Sequence, residues 1–393
     1  MYRALLVLVA VAACGGPANK DTLPSPAPAI APADDLAIAK SGAPRADPSD
    51  SSLTAKDPRV VDLDIIKIRA SGPPGSDTMT SVASADLFTM ANQAAKEGRT
   101  EAAIQQYRQL IHEFPDSLYA PISLFNIAAI HDGRADLPQT IATLRELVKT
   151  YPQARESIEG HLFIVALQAD KKQWTDALAT IEQVLARQNL TYADRIEAYA
   201  RRGYVLLEQK QFDPADAALA AAIAEWRKAP RIEDPYYIAM AHYYRGELLH
   251  QKFLGLRLRA GDDEMVADLE QKRVLAVQAY DRWRESLAFK HAYWATASGY
   301  QMSQIFVELW EAHVKAPFPK RVEASARTTY VAEVHDRVKE HLAKALEGHR
   351  MNVELAKAYG VDTAWSKGSE VRAVQILELI GRESAGNYTA PAN

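Results

Sequence analysis

The chain has 393 residues, of which 48% are hydrophobic, with a formal net charge of −4 and a single cysteine. This length exceeds one ordinary domain, and this hydrophobic fraction predicts that most of the chain folds. The slight negative charge provides no basic face for nucleic acid. One cysteine excludes an internal disulfide framework and any cysteine-rich metal site.

The first fourteen residues have the pattern of an export signal. Arg3 precedes an apolar run from Ala4 to Ala13, too short for a bilayer span of about 20 residues but suited to a signal peptide. The run ends in small residues directly before Cys14. This arrangement resembles the bacterial lipobox, which implies a signal peptide over residues 1–13 and a lipid anchor on Cys14.

No aspartate follows Cys14, since the next two residues are Gly15 and Gly16. By the same resemblance, this implies the outer membrane as the location, with the anchored protein facing the periplasm. The alternative left open is an ordinary secretory signal that ends before a cysteine by chance.

Residues 14–80 have the composition of a tether. Ten of the twenty prolines lie between residues 15 and 80, and alanine, serine and aspartate fill most of the rest. Such a segment buries too little apolar surface to offset its ordering entropy, which predicts a disordered linker with polyproline-II stretches. Residues 60–69 interrupt it with a β-branched, partly alternating run that predicts a strand. This strand either packs on the folded domain or adds to the sheet edge of a partner.

A repeated pattern begins near residue 81. A small residue is followed by apolar residues four, seven and eight positions later, and the repeat starts are separated by 37, 37 and 38 residues. These offsets place all four residues on one face of a helix. The four copies are Ala103-Tyr107-Leu110-Ile111, Thr140-Leu144-Leu147-Val148, Ala177-Ile181-Val184-Leu185 and Ala215-Leu219-Ala222-Ile223.

Small residues also lie twelve positions before most starts, and proline follows two of the helices, at Pro115 and Pro152. Together these residues resemble the tetratricopeptide (TPR) family, with the first repeat fitting best. The resemblance implies an all-α fold, a superhelical solenoid of antiparallel helix pairs, with four repeats over residues 81–230. Divergent helical repeats and a capping helix over 231–383 and a disordered tail over 384–393 would follow. The whole is similar to TPR lipoproteins of Gram-negative envelope machines, including those of myxobacterial type.

No catalytic motif accompanies the repeats. The sequence has no His-Glu-x-x-His, glycine-rich phosphate loop, nucleophile elbow or paired cysteines, which predicts no catalytic residues, metal or cofactor. His335 and His341 are six positions apart on a predicted helix and therefore face different directions. The surrounding residues Glu333 to Asp336 are expected to form a solvated, mixed-charge helix face.

The TPR resemblance implies a concave binding face lined by the first helix of each pair. Groove positions carried over from the family, in repeats one, two and four and in a fifth unit, are Phe88, Asn92, Phe125, Ala129, Ala200, Tyr204, Tyr243 and Glu247. Phe125, Tyr204 and Tyr243 are the strongest candidates, because aromatic residues dominate binding hot spots. The alternative is that these residues pack against the tether or the capping helix.

Three functions follow as hypotheses. The first is a non-catalytic adaptor that holds a protein or peptide partner in the periplasm as part of an envelope assembly or motility machine. The second is an accessory regulator that contacts peptidoglycan or its synthases. The third is an enzyme with an unrecognised site in residues 232–358, which would require a deep pocket lined by converging carboxylates or histidines.

Overall fold

The computed structural model describes residues 66–71 and 78–388, with side chains from residue 82 onward. The predicted signal peptide, Cys14, most of the predicted tether and the last five residues lie outside the described residues.

A two-stranded hairpin precedes the helices. Strand β1 (Ile66–Ser71) pairs antiparallel with β2 (Thr78–Ala83), in a register that places Ile66 opposite Ala83 and Ser71 opposite Thr78. The described part of the predicted strand at 60–69 therefore pairs within the chain. Residues 66–71 and 78–80 of the expected linker over 14–80 form strands, because the two segments contain β-branched residues and pair through their backbones.

Thirteen α-helices follow in the described residues, which confirms the all-α class. Their bounds are α1 (Ser84–Lys96), α2 (Thr100–Glu113), α3 (Tyr119–Gly133), α4 (Leu137–Thr150), α5 (Arg155–Asp170), α6 (Trp174–Leu185), α7 (Tyr192–Glu208), α8 (Phe212–Lys228), α9 (Tyr236–Gly255), α10 (Asp262–Ala288), α11 (Ala292–Lys315), α12 (Arg327–Tyr359) and α13 (Ala364–Ser384). A short 3₁₀ helix, Ala324–Ala326, precedes α12.

The chain divides into two compact units at residues 190 and 191. In the N-terminal unit, α1 to α6 pack in sequence order, each helix against the next, and α3 also packs against both α1 and α5. Short connections make consecutive helices antiparallel. Helices α2 and α4 end directly before Phe114-Pro115 and Tyr151-Pro152, as the prolines predict.

The C-terminal unit repeats this arrangement with longer helices. Helices α7 to α13 pack in sequence order, and α9 also contacts both α7 and α11, while α11 contacts α13. The sequence pattern places the change to divergent repeats at residue 230, whereas the fourth regular repeat lies with the divergent helices in this unit. Helix α13 corresponds to the predicted capping helix.

The repeat pattern marks the buried face of every second helix. In all four copies the residues at offsets zero, four and seven, from Ala103, Thr140, Ala177 and Ala215 onward, are fully buried. The small residue twelve positions earlier lies against this face. At Gly203 an added Cβ would overlap the Leu219 side chain and approach the Ala215 carbonyl oxygen to 3.2 Å. The two helices of a pair therefore touch where their side chains are smallest.

The turn inside each of these pairs uses one left-handed residue. Gly98, Ala135, Lys172 and Lys210 have φ between 56° and 72°, and each lies five positions before the start of its repeat pattern. Their amides donate to carbonyls three residues back, and the next amide reaches back five, as at Lys172 to Ala169 and Gln173 to Gln168. This is a Schellman helix end, for which glycine is the least strained residue.

Replacing Lys172 by glycine tests the strain at this turn. A left-handed conformation costs a residue with a side chain about 1–2 kcal/mol, of which the greater freedom of glycine in the unfolded chain cancels part. We expect Lys172→Gly to raise the free energy of unfolding by roughly 0.5 kcal/mol, measured by urea denaturation.

Lys171→Gly is the matched control, because Lys171 has an ordinary φ of −84°. This variant should be less stable than the parent by up to about 1 kcal/mol. A loss of stability in both variants would show that the turn at Lys172 is not strained.

Candidate partner-binding surface

Seven of the eight groove residues on which the sequence hypothesis rests are buried. Phe88 stacks on Tyr119 with ring centroids 4.8 Å apart, and Phe125 contacts Phe163 at 6.4 Å. Tyr204 lies 5.0 Å from Tyr244. Asn92 is half-buried, and its Oδ1 accepts a hydrogen bond from the Tyr107 hydroxyl at 2.5 Å.

The two groove residues of the fifth unit lie in the interior. Tyr243 is 0% exposed, lies 5.1 Å from the Trp294 ring and accepts a 3.4 Å hydrogen bond from Gln301 Nε2. Glu247 is buried beside His250. The expected exposure is wrong for all the groove positions except Asn92, because neighbouring helices cover these first helices on several sides. The buried positions are Phe88, Phe125, Ala129, Ala200, Tyr204, Tyr243 and Glu247. A role for Asn92 in binding stays a prediction.

A buried charge network joins α9, α11 and α13. His250 Nε2 lies 2.6 Å from Glu308 Oε2, and Gln304 Nε2 donates to Glu308 Oε1 at 3.1 Å. Arg372 Nε on α13 donates to Gln304 Oε1 at 2.8 Å. Hydrogen bonds thus link polar side chains of three helices, from the buried His250 to the half-buried Arg372, and favour one register of these helices.

His250 and Glu308 each shift the pKa of the other towards its charged form. Burial by itself would lower the pKa of His250, but the carboxylates of Glu308 and Glu247 raise it to about 10. Burial would raise the pKa of Glu308, yet His250 holds it below its ordinary value. His250 is therefore protonated and Glu308 ionised at neutral pH, as a buried ion pair.

Replacing His250 by glutamine should destabilise the protein in a pH-dependent way. The raised pKa of His250 contributes stability that is fully present below pH 6.5 and disappears as the pH rises through about 10. We expect His250→Gln to lower the free energy of unfolding by about 3 kcal/mol near pH 6.5. This difference should shrink towards pH 10, as measured by urea denaturation across that range.

His161→Gln is the control, because the His161 ring donates to the backbone oxygen of Ser157 in its own helix and burial lowers its pKa below the ordinary 6.5. Its effect should be small and nearly constant from pH 6.5 to 10. A His250→Gln penalty that does not change with pH would rule out the charged pair.

His335 is also misplaced by the sequence hypothesis. It is 1% exposed, and its Nδ1 lies 2.7 Å from Glu383 Oε1 on α13, while Tyr388 stacks on its ring at 4.6 Å. These groups border a cleft of about 420 Å³ between α12 and the end of α13. The partner carboxylate lies 48 positions away, so the charges near His335 in the sequence do not reveal that it is buried.

The clefts do not assemble a metal site. Among the described residues, no group of three or more histidine, cysteine, aspartate or glutamate side chains could hold a metal ion. Nor does any helix in the described ranges combine the length and apolarity that a membrane span requires.

A largely apolar concave surface in the C-terminal unit is a cleft of about 470 Å³, which we call the α10–α12 cleft. Met302 and Phe306 of α11 form its floor, and α10 and α12 form its walls. Its lining residues are Tyr280, Leu287, Gly299, Met302, Ser303, Phe306, Lys344, Glu347, Gly348, Met351, Asn352 and Leu355.

Close contact between α11 and α12 shapes this cleft. A Cβ at Gly348 would overlap the Ser303 side chain, and a Cβ at Gly299 would overlap Asn352. The backbones of α11 and α12 are in close contact at these glycines, and the longer side chains of Met302 and Phe306 remain half-buried. Met351 is 65% exposed at the edge. The sequence does show Met302 and Phe306 four positions apart, but it does not show that neighbouring helices leave them uncovered.

Comparison with known proteins relates the repeats to a family. No curated protein matches the chain. A family model described as a tetratricopeptide repeat-like domain matches residues 76–233, from the second strand of the hairpin to the end of the fourth regular repeat. The chain therefore carries a TPR-like domain, the kind of repeat that generally binds protein partners.

Proposed function

We propose that this protein is a non-catalytic scaffold lipoprotein that binds a protein or peptide partner in the periplasm, as part of an envelope assembly or motility machine. The observation that carries the proposal is the α10–α12 cleft in a chain whose preceding repeats form a TPR-like domain. Repeat arrays of this kind present extended surfaces for partners instead of enclosed catalytic sites.

The chemistry of the cleft favours an apolar peptide segment as the occupant. Phe306 and Tyr280 offer flat, half-buried surfaces, and the thioethers of Met302 and Met351 adapt to side chains of different shape. Lys344 and Glu347 add one charge of each sign to the lining, which suits a peptide with polar groups beside its apolar anchor. A cleft of this volume lies within the range of small ligand sites, roughly 300–1,000 Å³.

Met351→Asp tests the cleft directly. The side chain is 65% exposed, so the fold should tolerate the change, whereas a bound apolar partner would bury the new carboxylate. We expect recovery of cross-linked envelope proteins with the purified chain to fall about tenfold, as quantified by mass spectrometry.

Val266→Asp is the matched control, because Val266 is 57% exposed on α10 and does not line the cleft. This variant should recover the same proteins as the parent chain. Equal recovery with Met351→Asp would exclude the cleft as the partner site, and binding to purified sacculi without other proteins would favour the peptidoglycan hypothesis.

The anchor belongs to the same proposal. The pattern before Cys14 supports cleavage after residue 13 and attachment of lipid to the new N-terminus. Each buried methylene contributes about 0.8 kcal/mol, so two or more acyl chains hold a protein stably at a membrane. The proline-rich segment that follows would give the folded part reach from the outer membrane.

Replacing Cys14 by alanine should abolish lipid attachment in a Gram-negative host. We expect a palmitate analogue to label the parent chain and not Cys14→Ala, and the variant to leave the membrane fraction. Ser25→Ala, a change within the predicted tether, should remain labelled. An unlabelled parent chain would instead support an ordinary secretory signal.

A further inference from the structure

The last helix carries an exposed apolar stripe. Val371, Val374 and Leu377 on α13 are 54%, 59% and 45% exposed and lie three positions apart. In the described residues of this unit, α9 and α11 are each followed by further helices that pack against them, but no helix follows α13. Contiguous apolar side chains on an outer face mark a site of association.

Seven of the exposed residues on and just after α13 have the spacing of a heptad. Counting along the exposed face, the spacings alternate between three and four residues, and all seven positions are exposed. Such spacing forms the contact seam of a two-helix coiled coil. The seam consists of Ala364, Lys367, Val371, Val374, Glu378, Gly381 and Ala385, the last just beyond the helix end.

The seam is complementary to its own antiparallel copy. Placing Val371 opposite Val374 of a second copy also places Lys367 opposite Glu378, and Ala364 opposite Gly381. Lys367 and Glu378 are the two charged positions of the seam, so each lysine lies opposite a glutamate. The two-fold axis of the dimer makes two such pairs. In the same register the flanking Leu377 faces Gly368. We propose that two copies of this chain associate through α13 in this antiparallel arrangement.

Gly381 supports the close approach that this pairing requires. An added Cβ at this position would meet no atom within 4 Å in the single chain. A glycine within a helix is unfavourable relative to alanine. Packing inside the chain does not account for it, whereas small residues opposite each other let two helix backbones approach. Helix α13 has 21 residues, so a seam along it spans about 30 Å.

Charge reversal distinguishes this dimer from other kinds of association. The full chain is studied in a Cys14→Ala background, so that no lipid anchor can bring copies together, and its mass is followed against concentration by sedimentation equilibrium. We expect Lys367→Glu alone and Glu378→Lys alone to weaken the dimer at least about tenfold, because each places like charges opposite one another twice. The double variant should restore the parent affinity.

Mixing the two single variants gives the sharpest outcome. One partner then presents glutamate at both positions and the other lysine at both, so heterodimers should form where neither variant dimerises alone. Arg337→Glu, which reverses a 76% exposed charge on α12, is the control and should leave the dimer unchanged. Circular dichroism should show the same helix content in all variants.

Three results would overturn the proposal. The parent chain could remain monomeric at all concentrations, as it would if another part of the same chain covered the stripe. The double variant could fail to restore association although it is folded. The single variants could associate as strongly as the parent, which would place the contact elsewhere.

Discussion

The helix pairs of this protein depend on one contact, in which three side chains of each second helix are excluded from water against the small residues of the first. In the four regular repeats the residues at offsets zero, four and seven are all fully buried. Gly203 shows how close this contact is, since even a methyl group there would overlap Leu219. An isolated pair cannot bury its remaining apolar face, and so the pairs within each unit pack on one another.

This dependence explains what the sequence could predict about the fold. A contact made by residues close in the chain leaves a local, periodic trace, and the period of 37 to 38 residues identified the pairs and their buried face. Prolines after Glu113 and Thr150 marked two helix ends correctly. A strand over residues 60–69 was predicted, but its partner β2 was missed, because the two pair across a segment whose composition is that of a linker.

The candidate site was less predictable, for a physical reason. Whether an aromatic side chain on a first helix is exposed depends on the helices that follow, and Tyr243 is covered by Trp294 and Trp365 from much later in the chain. The same holds for His250 and Glu308, which are 58 positions apart. The α10–α12 cleft lies where α11 and α12 are in close contact at glycines and residues of α10 line the cleft beside them. No short window of sequence contains that relation.

The charge network has a consequence for the outer face of the final helix. Arg372 points inward to Gln304, one position from the outward-facing Val371. If α13 slid by one turn, the buried amide of Gln304 would lose its hydrogen bond from Arg372, which is energetically unfavourable. The network therefore holds α13 in one orientation about its own axis. A molecule that binds the outer face of α13 meets a surface whose orientation is already fixed.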